Sequence, residues 1–257
     1  MGVAAFGRVT IFGHRPDEGS FGVVVCQRIS CSLVLCLTGG AMGYAQSATT
    51  VPTVETILAR MAQAQAENRA KLRPYQVTRD YRLFGKEKVT TKSEVVAAVT
   101  FVPPDVKEYA IHHAKGTGIG EKVVRLMLDQ ETKVVKNYGS TDVSPANYDF
   151  RFLREEEFGG RSCYVMELLP KRKDKNLLKG KVWVDAATFR VRRTEGEPAK
   201  TLSWWLRDVR IALVYGEVGD MWLQTGSEST ANVRLLGQHT MVSRDLDYKI
   251  SKISARR

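Results

Sequence analysis

His112 and His113 stand side by side, and imidazoles bind a metal ion when they converge on one point. In the alternating stretch Val106 to His113 they cannot converge, because successive side chains of a strand point to opposite faces. With His14 and His239 distant in the sequence and no spaced third ligand beside them, no metal site is expected. Gly116-Thr-Gly-Ile-Gly120 approaches a phosphate-cradling loop, but it departs from G-x-G-x-x-G at the last glycine and no parallel βαβ unit follows. A flexible joint between a strand and a helix is the better account. A Ser-His-Asp triad assembles in space, yet no G-x-S-x-G elbow is present, and Ser162 and Ser203 fall inside strand-like stretches. Glu155-Glu-Glu157 lacks a separate acidic partner and reads as solvated turn charge. No enzyme signature and no cofactor site is read.

Lys171-Arg-Lys-Asp-Lys-Asn-Leu-Leu-Lys-Gly-Lys181 is the densest basic stretch of a chain with net charge +11. It reads as an exposed hairpin, and each Lys or Arg near an anionic bilayer adds about 1 kcal/mol of attraction. Such a charge favours nucleic acid, acidic headgroups or an acidic protein face. The segment from Cys31 to Ala48 narrows that choice. Its apolar part ends near Met42, short of the ~20 residues a membrane span needs, and small Gly43 and Ala45 precede polar Gln46. This is the pattern of a secretory signal cleaved after Ala45. Residues 1–45 are therefore expected to be an N-terminal extension and signal, and 46–257 a single domain with a full core. An exported chain leaves nucleic acid behind. Cys26, Cys31 and Cys36 depart with the signal, so Cys163 has no disulfide partner and reads as a small buried hydrophobe.

The elements follow from periodicity. Val54, Ile57, Leu58, Met61 and Ala62 recur at helical spacing between Thr53 and Leu72, with Pro52-Thr53 as a start and Pro74 as a stop. Alternation then sets Tyr75, Val77, Arg79, Tyr81 and Leu83 on one side of a strand. Further strands are expected over Lys88 to Phe101 and Val106 to His113, and a second helix over Glu121 to Val135. The rest reads as strands: 151–158, 161–169, 180–185, 189–196, 202–215, 220–229, 231–243 and 246–253. Consecutive strands of this kind argue for an antiparallel meander with helices on one face.

Gly160-Arg-Ser-Cys-Tyr-Val-Met-Glu-Leu-Leu-Pro170, then Gly180-Lys-Val-Trp-Val-Asp185, Thr188-Phe-Arg-Val-Arg192 and Leu202-Ser-Trp-Trp205, carry a resemblance. The chain resembles the LolA-like superfamily of periplasmic outer membrane lipoprotein-sorting proteins over most of residues 52–253. The resemblance implies a mainly β (α+β) fold, a strongly curved antiparallel sheet forming a half-open barrel with helices covering its concave face. It implies a periplasmic carrier or chaperone that binds the acyl chains of lipoproteins or lipids in an apolar cavity. Delivery would be to an outer-membrane acceptor or an anionic membrane surface. The alternative within the same family is a sensor module that binds a protein partner.

Period two then sets Tyr164, Met166 and Leu168 on one face of their strand and Val182 and Val184 on one face of the next, with Phe189 and Val191 continuing the row. These residues, with Tyr81 and Leu83, form the expected cavity lining, and Ile57, Leu58 and Met61 the expected lid. Arg79 and Arg82 are the candidates for the polar latch that the resemblance implies between lid and barrel.

Overall fold

The Thr53 hydroxyl accepts a hydrogen bond from the Thr56 amide at 3.3 Å, satisfying one of the free donors at the start of helix α1 (Val54–Lys71). The chain then straightens before Pro74, which cannot continue a helix, and enters β1 (Tyr75–Phe84). The computed structural model describes residues 51–136 and 138–251. The expected signal segment and its three cysteines lie outside them. The described residues belong to one compact unit, and no helix among them is long and apolar enough to cross a membrane.

After β1 come β2 (Thr91–Val102), β3 (Val106–Gly116) and helix α2 (Gly118–Val135). Then follow β4 (Tyr148–Glu157), β5 (Ser162–Pro170), β6 (Leu178–Asp185), β7 (Val191–Pro198), β8 (Leu206–Val218), β9 (Met221–Val233) and β10 (Gly237–Ile250). All ten strands join one antiparallel sheet in the order β3-β2-β1-β10-β9-β8-β7-β6-β5-β4. The sheet is not closed. Its one non-sequential neighbour pair is β1 with β10, so the last strand returns to lie against the first.

Several elements differ from expectation. The strand expected over 231–243 contains the turn Arg234 to Leu236, and the break expected near Asp245 is a bulge: Thr78 pairs with Asp247 and Arg79 with Asp245, leaving Leu246 over. A single extra residue in a long strand mimics a strand end in the sequence. Similar bulges lie at His112 in β3 and Leu153 in β4. Phe189 belongs to the β6–β7 turn, with φ 54°, and β7 begins at Val191. Glu155-Glu-Glu157 is the end of β4, where Glu156 accepts a hydrogen bond from the Trp183 indole, rather than turn charge.

Register places two rows of side chains across all ten strands on one face. One runs Phe150, Leu168, Gly180, Gly196, Ile211, Ser229, Met241, Leu83, Ser93 and Gly116. The other runs Phe152, Met166, Val182, Thr194, Leu213, Ser227, Ser243, Tyr81, Val95 and Ala114. At Gly180 and Gly196 the backbones of β6 and β7 come so close that an added Cβ would sit 2.0 Å from the Glu195 carbonyl and 2.3 Å from the Lys179 carbonyl, respectively. Only glycine fits such an approach. The opposite face carries a small core of its own, Cys163, Val165 and Trp183.

Candidate functional site

Both helices lie on the face defined by the two rows, but over different strands. Ile57 and Met61 of α1 pack into a cluster with Tyr148, Tyr164, Met166, Leu168, Leu177, Val182 and Val184, all buried. Leu58, Phe189 and Val191 border it. The expected lid and seven of the nine expected lining residues thus come together. Tyr164 is in tilted contact with Phe152 and Phe189 at 6.5 and 6.1 Å, and burial pushes its hydroxyl pKa up, keeping it neutral.

Tyr81 and Leu83 share the face but not the cluster. They pack with Val77, Val95, Val99 and Met241 beneath Val124 and Leu128 of α2. Between the two clusters lies a strip of hydroxyls and half-buried apolar groups on β7 to β10. Ser227 and Ser243 hydrogen-bond each other at 2.7 Å, and the buried Thr194 hydroxyl has no hydrogen-bond partner. The strip interrupts what the sequence presents as one lining.

The two helices are held differently. Arg79, 5% exposed, extends from β1 to α2: its Nη1 lies 3.2 Å from both carboxylate oxygens of Glu131 and its Nε 2.5 Å from Asp245. Lys107 of β3 donates to Glu131 at 2.9 Å, and Tyr109 to Asp129 of α2 at 2.6 Å. Burial drives the Glu131 carboxyl upward, yet Lys107 and Arg79 outweigh it and hold the pKa below its ordinary value. Burial likewise opposes the Arg79 charge, but Glu131, Tyr81 and Asp245 override it and raise its pKa. Arg79 therefore ties α2 to the sheet and, among the described residues, makes no hydrogen bond or ion pair with the expected lid α1. Arg82 lies on the other face, with Asp80 and Glu94. The joint at the start of α2 is closely packed at two of its glycines: a Cβ at Gly116 would lie 2.2 Å from the Lys92 carbonyl, and one at Gly120 2.2 Å from the Ser93 side chain. A cavity of about 50 Å³ beside Gly116 and Glu121 has room for a few waters.

By contrast, α1 has no ion pair to the sheet among the described residues. Ile57, Met61 and Ala64 are buried. Gln65 donates to the Val143 carbonyl at 3.0 Å, and the Asn68 amide clasps both backbone groups of Trp222, at 2.8 and 2.6 Å. The basic hairpin after β5 is partly tied down: Lys171 donates to the Pro145 carbonyl and Arg172 to Asn147. Asp185 accepts from the Ala187 and Thr188 amides and so shapes the turn before β7.

A family model described as an uncharacterized protein matches residues 136–205. No curated protein matches the sequence. Among solved structures, the chain is similar to an outer membrane lipoprotein-sorting protein domain from Vibrio parahaemolyticus, at 15% identity over 80% of this chain and 95% of that one, with a TM-score of 0.42. It is similar to a DUF1329 family protein from Desulfovibrio piger at 14% identity over 80% and 96%, with a TM-score of 0.43. A LolA superfamily protein from Nitrosomonas europaea matches at 16% identity over 79% and 96%, with a TM-score of 0.35.

Proposed function

We propose that this protein is a periplasmic carrier that shields acyl chains of lipoproteins or lipids against the face beneath α1, with α1 as the movable cover, for delivery to the outer membrane. The observation that carries the reading is the contrast between the helices. A buried ion cluster fastens α2, whereas α1 closes over Tyr164, Met166, Leu168, Val182 and Val184 mainly by burying Ile57, Met61 and Ala64.

Magnitudes favour exchange of helix for ligand. Fully burying an Ile or Met side chain is worth ~1.5–3 kcal/mol, so α1 gains roughly 4–7 kcal/mol from its apolar contacts. An acyl chain with about twelve buried methylenes gains ~10 kcal/mol. An acyl chain thus has more apolar surface to bury on this face than the cover does, which offsets part of the cost of bringing a separate molecule to the site, and the hydrogen bonds of Gln65 and Asn68 return to water without stranding a charge. The curved, half-open form of the sheet belongs to this reading, with the Gly180–Gly196 contact as the position where the two backbones close on one another.

The test is native mass spectrometry with lipid extraction, on protein isolated from a periplasmic fraction without detergent. Bound phospholipid or lipopeptide, lost in a folded Leu168→Glu variant, supports the reading. An apo mass that stays unchanged after incubation with lipids and lipopeptides overturns it.

A further inference from the structure

The turns at one end of the sheet differ in chemistry from those at the other. Register aligns the β1–β2 turn (85–90), the β5–β6 hairpin (171–177), the β7–β8 loop (199–205) and the β9–β10 turn (234–236) along a single rim. They are linked in series. The Ala199 amide donates to the Leu177 carbonyl at 2.8 Å and the Arg234 amide to the Trp205 carbonyl at 2.9 Å. Lys88 pairs with Glu228 of β9 at 2.5 Å. These four segments hold eight basic side chains against two acidic ones. The hairpin turns of the opposite end, 103–105, 158–161, 186–190 and 219–220, hold two of each.

The same rim exposes the large apolar side chains of adjacent loops. Trp204 is 75% exposed, Leu235 100% and Leu236 60%, with Leu202 and Trp205 beside them. The guanidinium of Arg234 sits 5.6 Å from the centre of the Trp204 ring. Water is a poor solvent for such a group of side chains, and a contiguous exposed apolar patch ringed by charge marks an interaction site. Trp and Leu at a tip, flanked by Arg and Lys, match a bilayer interface: the rings and leucines enter the acyl boundary while the cations meet phosphates.

We propose that this rim docks on an anionic phospholipid surface, with Trp204, Leu235 and Leu236 inserted and the surrounding Lys and Arg on the headgroups. Lys88 and Lys171 have carboxylate partners in Glu228 and Asp149, and a neutral bilayer would leave the remaining excess of basic groups without a counterpart, so charge complementarity selects anionic lipid. The site is distinct from the face under α1 and does not depend on cargo being carried there.

The experiment is co-sedimentation of the purified full chain with phosphatidylcholine vesicles, with and without about a quarter of phosphatidylglycerol, read together with tryptophan emission. The expected result is binding to the phosphatidylglycerol vesicles with a blue shift, weakened by salt and more than tenfold weaker in Leu235→Glu/Leu236→Glu and in Trp204→Ala. These side chains are in solvent, so circular dichroism of both variants should match the parent. Protein stripped of any bound lipid should bind vesicles as well as untreated protein does, which separates this proposal from the carrier reading. Equal binding by the parent and both variants overturns it, as does equal binding of the parent to vesicles with and without phosphatidylglycerol. Variants that lose a co-purifying protein but keep full vesicle binding also overturn it, and assign the rim to a protein.

Discussion

Nη1 of Arg79 lies 3.2 Å from each carboxylate oxygen of Glu131, joining the first strand of the sheet to its second helix across 52 positions of sequence. Asp245, from the last strand, completes the contact at 2.5 Å. One guanidinium therefore holds three distant parts of the chain. Arg79→Met would leave the Asp245 and Glu131 carboxylates without their shared cation, and removing one partner of a buried ion pair typically destabilises by ~3–5 kcal/mol. Urea denaturation should show that loss. Arg79→Met/Asp245→Asn should lose clearly less than the sum of the single variants, and simple additivity would count against a coupled cluster.

The same cluster sets a pH dependence. Because the Glu131 pKa is held below its ordinary value by Lys107 and Arg79, against burial, its ionised form favours the folded state. That contribution is complete above about pH 4.3, the ordinary glutamate value, and is lost as the pH falls through the lowered one. Stability measured by denaturation from pH 6 down to pH 3 should fall less steeply in Glu131→Gln than in the parent; parallel slopes would contradict the assignment.

Asn68 is the directional contact of α1 with β9. Asn68→Ala leaves the Trp222 amide and carbonyl without their partner, a loss of ~1–3 kcal/mol localised at the C-terminal end of the helix. Hydrogen exchange should accelerate in α1 and at Trp222 while α2 keeps its protection. Uptake of a fluorescent fatty acid should rise if α1 is the cover. Uniform acceleration through both helices would mean that α1 does not open by itself.

Gly180→Ala forces a methyl group to within 2.0 Å of the Glu195 carbonyl. Overpacking of this kind destabilises by ~1–3 kcal/mol, and backbone cannot swing aside as a side chain can. A melting temperature equal to the parent's would show that β6 and β7 can separate there freely.

Thr194→Val should act in the opposite direction. The Thr194 hydroxyl is buried without a partner, and an unsatisfied buried polar group costs about 1–3 kcal/mol. Replacing it with a methyl should raise the urea midpoint. A lower midpoint would show that the hydroxyl is satisfied in solution.

Both helices and most strands could be read from periodicity because their inner faces keep one spacing throughout. Tyr75, Val77, Arg79, Tyr81 and Leu83 alternate without interruption, and β1 holds them as one face. The last strand resisted reading because Leu246 shifts the phase by one residue, as a strand break would. The division of the lining into two clusters was hidden for a different reason. It depends on β10 inserting between β1 and β9, a long-range pairing that no local pattern records. Arg79 stood out as a charge among apolar residues. Glu131 continues the inner-face spacing of Val124 and Leu128 in α2, but its pairing with Arg79, 52 positions away, is recorded by no local pattern.

The bulges at His112 and Leu153 sit on β3 and β4, the two strands that have a neighbour on one side only. An unpaired strand is a template on which another molecule's strand can grow. A displaced residue disrupts the regular row of donors and acceptors that such growth needs, and charged neighbours such as Lys115, Arg151 and Arg154 add repulsion and hydration. The open sheet is thereby guarded at both margins against edge-to-edge polymerisation, and copies crowded together resist forming fibrils.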